Sequence, residues 1–285
     1  MSSPMAARRR LGVELRRMRE TAGFSGEQAA AGFGWSQAKI SRMESAVTRP
    51  TVRDVRDLLE FYQADPVLRD ELLTLAAVAA TRSSAWWNDY AGAISVRSRQ
   101  RIALEADAST ILHLAVSVIP GLLQTAEYAR EIFSCTGVEE TRRNIDLGVA
   151  ARATRKEFVM RQPPNFPVVI TDGALRWRPG SGEVQRNQLR SLLEEAATTP
   201  TLSIRVLPQY PRDGMLPLSD FMIYKFADPD VPVVAYVETP TGHTEIEKRT
   251  DIEFYEDSFN ALLNLTLAED ESLEYIQELV DNIER

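Results

Sequence analysis

The sequence predicts an α+β protein, in which an all-α N-terminal domain of four to five helices precedes a larger mixed α/β domain. Three features support this prediction. The chain of 285 residues is about twice the length of a typical domain. Residues 8–62 carry short amphipathic helical patterns separated by turn residues. Farther along, runs of β-branched and aromatic residues bounded by Pro and Gly alternate with helical segments, as in a mixed domain.

Four helices are expected in the N-terminal domain, over residues 8–22, 26–32, 36–45 and 51–62. Ser25 and Gln28 match a capping box at the start of the second helix, and Ser36 can cap the third. Thr51 and Asp54 form a similar pair before the fourth. The first, third and fourth helices have apolar side chains spaced by three and four residues, so each has one face to bury.

The domain boundaries are predicted from the change in pattern along the chain. Residues 1–65 form the helical domain, 66–98 a helical linker and 99–285 the mixed domain. Candidate strands in the mixed domain are 168–171, 202–207, 221–226 and 233–238. Candidate helices are 123–134, 139–161, 184–197, 251–265 and 271–284.

Cysteine content and hydropathy indicate a cytoplasmic protein. A single cysteine, Cys135, cannot form an internal disulfide. The longest uncharged apolar run, residues 72–81, is far shorter than the roughly 20 residues that a membrane-spanning helix needs. The basic start of the chain is not followed by an apolar segment, so we expect no signal peptide and no membrane partner.

Charge is divided unevenly along the chain. The net charge is −8, yet residues 1–60 hold 11 Lys and Arg against 7 Asp and Glu. The remaining residues hold 22 basic against 34 acidic residues. A basic end on an acidic body fits attraction to phosphate at one surface and limits nonspecific contact with nucleic acid elsewhere.

The third predicted helix, within GWSQAKISRMES, separates apolar from polar residues. Ile40 and Met43 fall on one side, which we expect to be buried. The other side carries Ala38, Ser41, Arg42 and Ser45, with Gln37 at its edge and Lys39 on its flank. Gln can pair with adenine, Arg can pair with guanine, and small residues permit close approach to a major groove. A solvated surface helix is the alternative interpretation.

The order of motifs in this segment resembles the Cro/repressor-like, or XRE, helix-turn-helix family. The resemblance rests on Leu15 to Gly23, Ser25-x-x-Gln28, Gly34-Trp35-Ser36-Gln37, Ile40-Ser41-Arg42-Met43-Glu44 and Pro50. It implies double-stranded DNA as a partner and a tie between Arg19 and Glu44. The helix-turn-helix arrangement lays its second helix in the groove and its first across the backbone. The candidate DNA-binding residues are Ser25, Gln28, Ser36, Gln37, Ala38, Lys39, Ser41, Arg42 and Arg49.

The sequence departs from the pattern of that family at four positions. Gly26 stands where a phosphate-holding glutamine is common, and Ala46 replaces the usual glycine of a turn. Ala29 replaces a leucine, and Gly32 costs about 1 kcal/mol relative to alanine in a helix. We therefore expect a DNA-binding domain that is loosely packed or depends on a partner.

The rest of the chain resembles the domain of unknown function that follows such helix-turn-helix units in many actinobacterial regulators. The resemblance covers about 86–280 and rests on Trp86-Trp87-x-x-Tyr90, Ile119-Pro120-Gly121-Leu122-Leu123-Gln124-Thr125-x-x-Tyr128-Ala129-Arg130 and Tyr236-Val237-Glu238-Thr239-x-Thr241-Gly242. It implies no particular ligand. Regulators of this kind are often encoded beside a small protein, which implies a partner in a toxin-antitoxin-like module as an alternative.

Several residues of the second domain are candidates for binding a ligand or partner: Trp86, Trp87, Tyr90, Gln124, Tyr128, Arg176, Glu238 and His243. The aromatic group at 86–90 can stack on a planar ligand or pack between domains. Glu238 ends an apolar strand, where it can pair with Arg176 or His243 in a pocket or simply face water. Residues 120–124 are expected to bury their apolar pair.

The C-terminal segment is acidic, with 13 acidic residues against 3 basic ones over residues 240–285. Its last helix has one apolar side, which we expect to pack on its own domain or on a dimer mate. A basic partner protein and a self-masking contact with the DNA-binding helices are the alternatives.

Catalysis is not expected, and no cofactor or metal is predicted. Two histidines and one cysteine leave no set of ligands for a zinc cluster. The sequence also lacks nucleophile-elbow, dinucleotide and phosphate-loop patterns. We therefore expect a sequence-specific transcriptional regulator that binds DNA as a homodimer and is controlled through its C-terminal domain.

Overall fold

The structure, a computed structural model, describes residues 4–81, 86–90, 92–94, 96–135, 144–209, 219–239 and 242–284. The chain divides into two compact units, 1–85 with 226–232 and 86–225 with 233–285. The first unit is helical, and the second contains a six-stranded sheet with helices. The predicted α+β class is therefore confirmed.

The described residues of unit 1 form five helices. They are α1 (Pro4–Thr21), α2 (Gly26–Ala31), α3 (Gln37–Glu44), α4 (Val52–Phe61) and α5 (Pro66–Ala80). Side-chain oxygens of Ser36 and Thr51 accept backbone N–H bonds at the starts of α3 and α4, and Ser25 and Gln28 form the expected capping box. These caps fix where the short helices begin because each satisfies an N–H group that lacks a partner within its helix.

The core of unit 1 draws on all five helices. Its buried members include Leu11, Leu15, Ala29, Ile40, Met43, Val55, Leu58, Leu59, Leu72 and Ala76. α5 lies in the segment that the sequence assigns to a linker, and it packs against α1 and α4. Its contribution to the core comes from Leu72, Ala76 and Ala79. Burial of these side chains stabilises the unit in proportion to the apolar area removed from water.

Aromatic side chains compensate for the small residues of α2. The Phe33 ring stacks on Trp35 at 4.7 Å and meets Phe61 edge-on at 5.2 Å. A Cβ added at Gly32 would lie 3.0 Å from the Phe61 ring, so glycine provides the space for that ring. Ala29 and its neighbour Ala30 are fully buried. These rings fill the volume that larger side chains of α2 would occupy. That the domain is loosely packed or depends on a partner stays a prediction.

The turn after α3 adopts a left-handed backbone at Ala46, with φ of 56°. A left-handed conformation costs an L-residue with a Cβ roughly 1–2 kcal/mol. This cost is the physical reason that glycine suits the position, and alanine here tolerates the strain.

Unit 2 contains six strands and seven α-helices among its described residues. The strands are β1 (Thr110–Ala115), β2 (Phe166–Thr171), β3 (Leu202–Leu207), β4 (Phe221–Lys225), β5 (Val234–Thr239) and β6 (Gly242–Ile246). The helices are α6 (Val96–Asp107), α7 (Ala126–Cys135), α8 (Ile145–Met160), α9 (Asp172–Arg176), α10 (Gly182–Thr198), α11 (Arg249–Leu263) and α12 (Glu269–Glu284). A 3₁₀ helix, Trp86–Tyr90, precedes α6.

The strands form one mixed sheet in the order β3-β2-β1-β4-β5-β6. β1, β2 and β3 are parallel and are joined by helical crossovers, whereas β4, β5 and β6 are antiparallel. The four predicted strands are present, but the sequence prediction lacks β1 and β6. His113 interrupts the apolar pattern of β1, and β6 is a polar edge strand, so neither gives a clear strand signal. Residues 139–143 of the predicted helix at 139–161 lie outside the described residues.

The two faces of the sheet have different coverings. α11 covers one face, where Phe259 and Leu262 join a core with strand residues such as Ile223. The opposite face carries His113, Tyr224 and Tyr236, because alternate strand residues point to opposite sides. The hydroxyl of Tyr224 bonds to Glu105 of α6, which places α6 over this second face.

The acidic last helix packs within its own unit. α12 contacts α10 and β3, and its residues Ile276, Leu279 and Val280 are buried. The expectation that this helix packs on its own domain is therefore confirmed. No helix in the described part of the chain is long and apolar enough to cross a bilayer.

Candidate functional site

The outer surface of α3 is the first candidate site. Ile40 and Met43 hold the helix to the core, with 1% and 4% of their surfaces exposed. The opposite side exposes Gln37, Ala38, Ser41 and Arg42. Among the described residues, no carboxylate lies within 4.0 Å of the guanidinium of Arg42. Hydrogen-bonding groups therefore stand on a surface that apolar anchors keep in place.

Two contacts fix α3 against α1. The Arg19 guanidinium donates to both carboxylate oxygens of Glu44, at 2.7 and 2.9 Å, and also to the carbonyl of Phe24. The tie that the family resemblance implies is thus present in the structure. At Gly12 the helices approach so closely that a Cβ would lie 3.0 Å from the Met43 carbonyl oxygen and closer still to that of Glu44. The position of α3 is therefore determined by backbone contact as well as by side chains.

Lys39 has intramolecular partners. Its ammonium lies 3.0 Å from the carboxylate of Asp54 and 3.4 Å from the centroid of the Trp35 ring. Both contacts stabilise a cation. A phosphate contact by Lys39 would require the ammonium to leave Asp54 or to be shared with it.

Three other predicted DNA contacts serve as helix caps. The Ser25 hydroxyl accepts from the N–H of Gln28, and the Gln28 side chain accepts from the N–H of Ser25. The Ser36 hydroxyl accepts from the N–H of Lys39. Arg49 is exposed just before α4 and has no ion pair among the described residues. The caps orient the first turns of α2 and α3, and Arg49 is left able to meet an anion.

A polar cluster beneath α6 and α8 is the second candidate site. The Arg155 guanidinium donates to both oxygens of Glu105, each at 2.6 Å. Tyr224 donates to Glu105 at 3.2 Å, and Arg101 lies 3.5 Å from the same carboxylate. Glu105 and Arg155 are both buried. A buried carboxylate is tolerated here because two guanidiniums and a hydroxyl replace its water.

Ionisation in this cluster follows from burial and charge. Burial alone would raise the pKa of Glu105, but the Arg155 and Arg101 guanidiniums lower it below its ordinary value. Burial raises the pKa of Tyr224 well above its ordinary value, and the neighbouring Glu105 carboxylate adds to the increase. Burial also lowers the pKa of His113 to about 4. Glu105 is therefore a carboxylate, and His113 is neutral, at neutral pH.

Comparison with known protein families separates the same two parts of the chain. A helix-turn-helix domain matches residues 10–72, and a domain of unknown function (DUF5753) matches residues 98–278. The second match covers most of the chain. The chain belongs to the DUF5753 family. No curated protein and no solved structure matches it.

In the DUF5753 domain, two glutamines shape the loop between β1 and α7. Gln124 donates to the carbonyl of Ile119 at 2.7 Å. Gln188 of α10 donates to the carbonyl of Leu123 and accepts from the N–H of Thr125. The apolar pair of this loop, residues 122–123, is buried as expected. The loop is therefore held rigidly, with the side-chain oxygen of Gln124 directed at the Arg152 guanidinium.

The predicted aromatic residues lie near this region of the DUF5753 domain. Trp86, Trp87 and Tyr90 pack on a small core formed by Ile94, Ile102 and Ala151. The Tyr90 hydroxyl is 2.8 Å from that of Thr154 on α8. Tyr128 is fully buried on α7. All four aromatic residues contact the interior of the unit that contains them.

The remaining predicted residues form two separate groups. Arg176 bonds to Asp172 and to the hydroxyl of Tyr275 on α12, rather than to Glu238. Glu238 and His243 face each other across β5 and β6, and Glu238 lies 3.6 Å from Arg101. The imidazole of His243 stacks on the ring of Tyr236 at 4.2 Å.

The arginines of the DUF5753 domain were not predicted from the sequence as site residues. Arg101, Arg152 and Arg155 are absent from the predicted site, although they line one small cavity and two of them hold the buried Glu105. A signal for them exists, since Arg155 lies four residues from the buried positions Ala151 and Val159 and so shares their helix face. A charged residue on an apolar helix face requires a partner. Among the described residues no group of three or more His, Cys, Asp or Glu could hold a metal ion.

Proposed function

We propose that the chain is a cytoplasmic, sequence-specific transcriptional regulator of the Cro/repressor-like type. Its helix-turn-helix domain binds double-stranded DNA, and its DUF5753 domain acts by binding rather than by catalysis. The observation that carries the proposal is the exposed surface of α3, where Gln37, Ser41 and Arg42 project from a helix fixed by a buried core. Such side chains read base edges in a major groove.

A homodimer supplies the specificity that one short helix lacks. α3 spans eight residues, and its outer side can contact only a few base pairs. Two copies related by a twofold axis would read symmetric half-sites and so multiply the discrimination between sequences. In this proposal the DUF5753 domain controls the regulator in response to an effector.

Substitution of Arg42 tests the base-reading role. Arg42→Ala should lower affinity for the operator but leave affinity for random DNA nearly unchanged, with a loss of about 1–3 kcal/mol of discrimination. The operator is first identified by genome-wide mapping of bound sites in the native host. Fluorescence anisotropy then measures both affinities at one salt concentration.

The control for this test is Arg249→Ala, which removes the same charge from the exposed side chain of α11. It should leave both affinities unchanged. An equal loss on operator and random DNA for Arg42→Ala would show that Arg42 only attracts phosphate. Absence of bound sites in the genome would contradict the regulator itself.

Binding of a small partner protein is the second candidate function, as in a toxin-antitoxin-like module. One observation favours it: Phe254 on α11 is 66% exposed in the C-terminal segment 240–285, where 13 acidic residues stand against 3 basic ones. An exposed aromatic side chain in an acidic segment offers a contact to a basic, partly apolar partner. One small protein that copurifies with the wild type in fixed stoichiometry, and is lost with Phe254→Ser, would favour this function. Its retention by the variant would count against it.

A further inference from the structure

We propose that the DUF5753 domain binds a small organic anion, whose acidic group contacts Arg152 and whose apolar part occupies the cleft between α7 and α8. The acidic group is a carboxylate or a phosphate. The binding step itself does not depend on the proposed DNA-binding function. Only the idea that the bound anion acts as an effector of the regulator rests on the proposed DNA-binding function.

The first observation is an imbalance of charge. Arg101, Arg152 and Arg155 line one small cavity of about 100 Å³, and none of its described lining residues is acidic. Two carboxylates lie near them among the described residues. Glu105 is held by Arg155 and Arg101, and Glu238 lies 3.6 Å from Arg101 and is half exposed. Within the described part of the chain, one guanidinium is left without a carboxylate partner.

That guanidinium belongs to Arg152. Its hydrogen bond goes to the neutral amide oxygen of Gln124, and it lies 4.3 Å from the centroid of the Phe133 ring. Burial lowers the pKa of Arg152 to about 9, and repulsion from the Arg155 and Arg101 guanidiniums adds to the decrease. A cation in such surroundings gains more from an anionic ligand than an exposed arginine does, because fewer water molecules compensate it.

The second observation is a larger cleft that also reaches Arg152. It has a volume of about 420 Å³, within the range typical of small-molecule sites. Apolar atoms of Ala126, Ala129, Val149 and Met160 form part of its wall. Arg152 therefore lies where an apolar cleft meets a pocket of guanidiniums, which matches a ligand with one acidic end.

The other charged residues of the cleft already have partners. The Lys156 ammonium lies 2.6 Å from Glu195, and the Glu157 carboxylate accepts from Arg161 at 2.7 Å. Within each pair the positive and the negative charge neutralise each other. Arg152 is thus the cleft residue whose positive charge remains available to a ligand.

Rigidity of the opposite wall adds to the case. Gln124 and Thr125 line the cleft and are held by the bonds to Ile119 and Gln188 described above. A Cβ added at Gly121 would lie 3.6 Å from the Arg155 guanidinium and 3.8 Å from that of Arg152. A wall that is already ordered lowers the entropy lost when a ligand binds.

Calorimetry with simple amphiphiles tests the proposal on the full-length chain without DNA. Octanoate and octyl phosphate are the two anionic probes, and octan-1-ol is their neutral counterpart. We expect at least one anion to bind, at least tenfold more tightly than the alcohol. The tighter anion identifies the acidic group as a carboxylate or a phosphate. Absence of heat with both anions, or equal affinity for the alcohol, would overturn the proposal.

Variants locate the binding site. Arg152→Gln should weaken the favoured anion at least tenfold, whereas Arg152→Lys should retain part of the affinity because it retains the charge. The matched control is Arg249→Gln on α11, which removes one positive charge outside the cleft and should bind as the wild type does. Thermal unfolding verifies that each variant is folded. Unchanged binding by folded Arg152→Gln would place the anion elsewhere and refute the assignment.

The experiments distinguish a failure of the anion site from a failure of the proposed DNA-binding function. If the anion binds but operator affinity is the same with and without it, the anion site is confirmed. Its role as an effector site is then contradicted. If neither anion binds while Arg42→Ala loses base preference, the proposed DNA-binding function is supported and the anion site is refuted.

Discussion

At the scale of single residues, the described part of each unit contains one arginine–glutamate pair in which the arginine donates to both carboxylate oxygens. In unit 1 it is Arg19 with Glu44, and in unit 2 it is Arg155 with Glu105. The planar guanidinium matches both oxygens at once, which a lysine ammonium cannot do. These pairs fix α3 to α1 and α8 to α6, so single side chains determine the orientation of both candidate sites.

His113 should make the stability of unit 2 sensitive to mild acid. Its pKa in the folded chain is about 4 because of burial, against 6.5 ordinarily. As the pH falls, the unfolded chain therefore binds the proton first, and stability is lost between about pH 6.5 and 4. The full loss is on the order of 3 kcal/mol. His113→Gln should lose less stability over this interval, as measured by urea unfolding followed by tryptophan fluorescence.

Comparison of two pH ranges separates the effect of His113 from that of the carboxylates. Above pH 7 the free energies of unfolding of wild type and variant should run parallel, because the imidazole is neutral in both states. Glu105, whose pKa is lowered in the folded chain, contributes stability that is lost only at lower pH, near and below its ordinary pKa of 4.5. Parallel curves throughout pH 4–7 would contradict the assignment to His113.

At the scale of secondary-structure elements, the position of the recognition helix depends on how closely α3 approaches α1. Ile40 and Met43 face the core, and Gly12 lets the backbones meet. Close contact with backbone carbonyls cannot be relieved by a rotamer change. The surface presented to DNA is consequently set by helix packing, before any contact with a ligand.

Gly12→Ala should therefore destabilise unit 1. The added methyl group would collide with the carbonyl oxygens at the end of α3, and overpacking of this kind costs about 1–3 kcal/mol. Thermal unfolding monitored by circular dichroism measures the loss, and operator affinity should fall as α3 is displaced. Gly26→Ala is the matched control, because its Cβ would lie 3.6 Å from the Gln37 side chain in an ordinary contact. Equal stability of the two variants would contradict the role of Gly12.

At the scale of the whole molecule, positive and negative charge are divided between the two parts of the sequence. Residues 1–60 carry the basic excess, and the net charge of the chain is −8. Association with DNA releases counterions from phosphate in proportion to the contacts made. The dependence of DNA affinity on salt concentration should consequently be determined by side chains of the N-terminal part alone.

Arg49→Gln provides the test of this division. Loss of one phosphate contact should reduce the slope of log affinity against log salt by about 1, equally for operator and random DNA. Fluorescence anisotropy over a series of salt concentrations gives the slope. Arg249→Gln, in the acidic part, should leave the slope unchanged. A slope altered to the same extent by both variants would show that net charge, rather than position, governs binding.

Local patterns in the sequence predicted much of the fold. The caps at Ser25 and Ser36, the helical spacing of Ile40 and Met43, and the apolar runs of four of the six strands are all patterns among near neighbours in the chain. β1 and β6 escaped prediction because His113 interrupts the apolar pattern of β1 and β6 is polar, so pairing rather than composition makes them strands. The aromatic packing around α2 escaped it because Phe61 comes from another helix.

The sequence by itself determined that a helix-turn-helix domain precedes a mixed α/β domain, and which side of α3 faces outward. Only the tertiary structure decided that Lys39 contacts Asp54, and that two arginines from two helices share one buried carboxylate. The periodicity of a helix appears in residues three and four positions apart, so it can be recognised from the sequence alone. The balance of charge around Arg152 depends on side chains far apart in the sequence, such as Arg155 and Glu105, which are 50 residues apart. Folding alone brings these together.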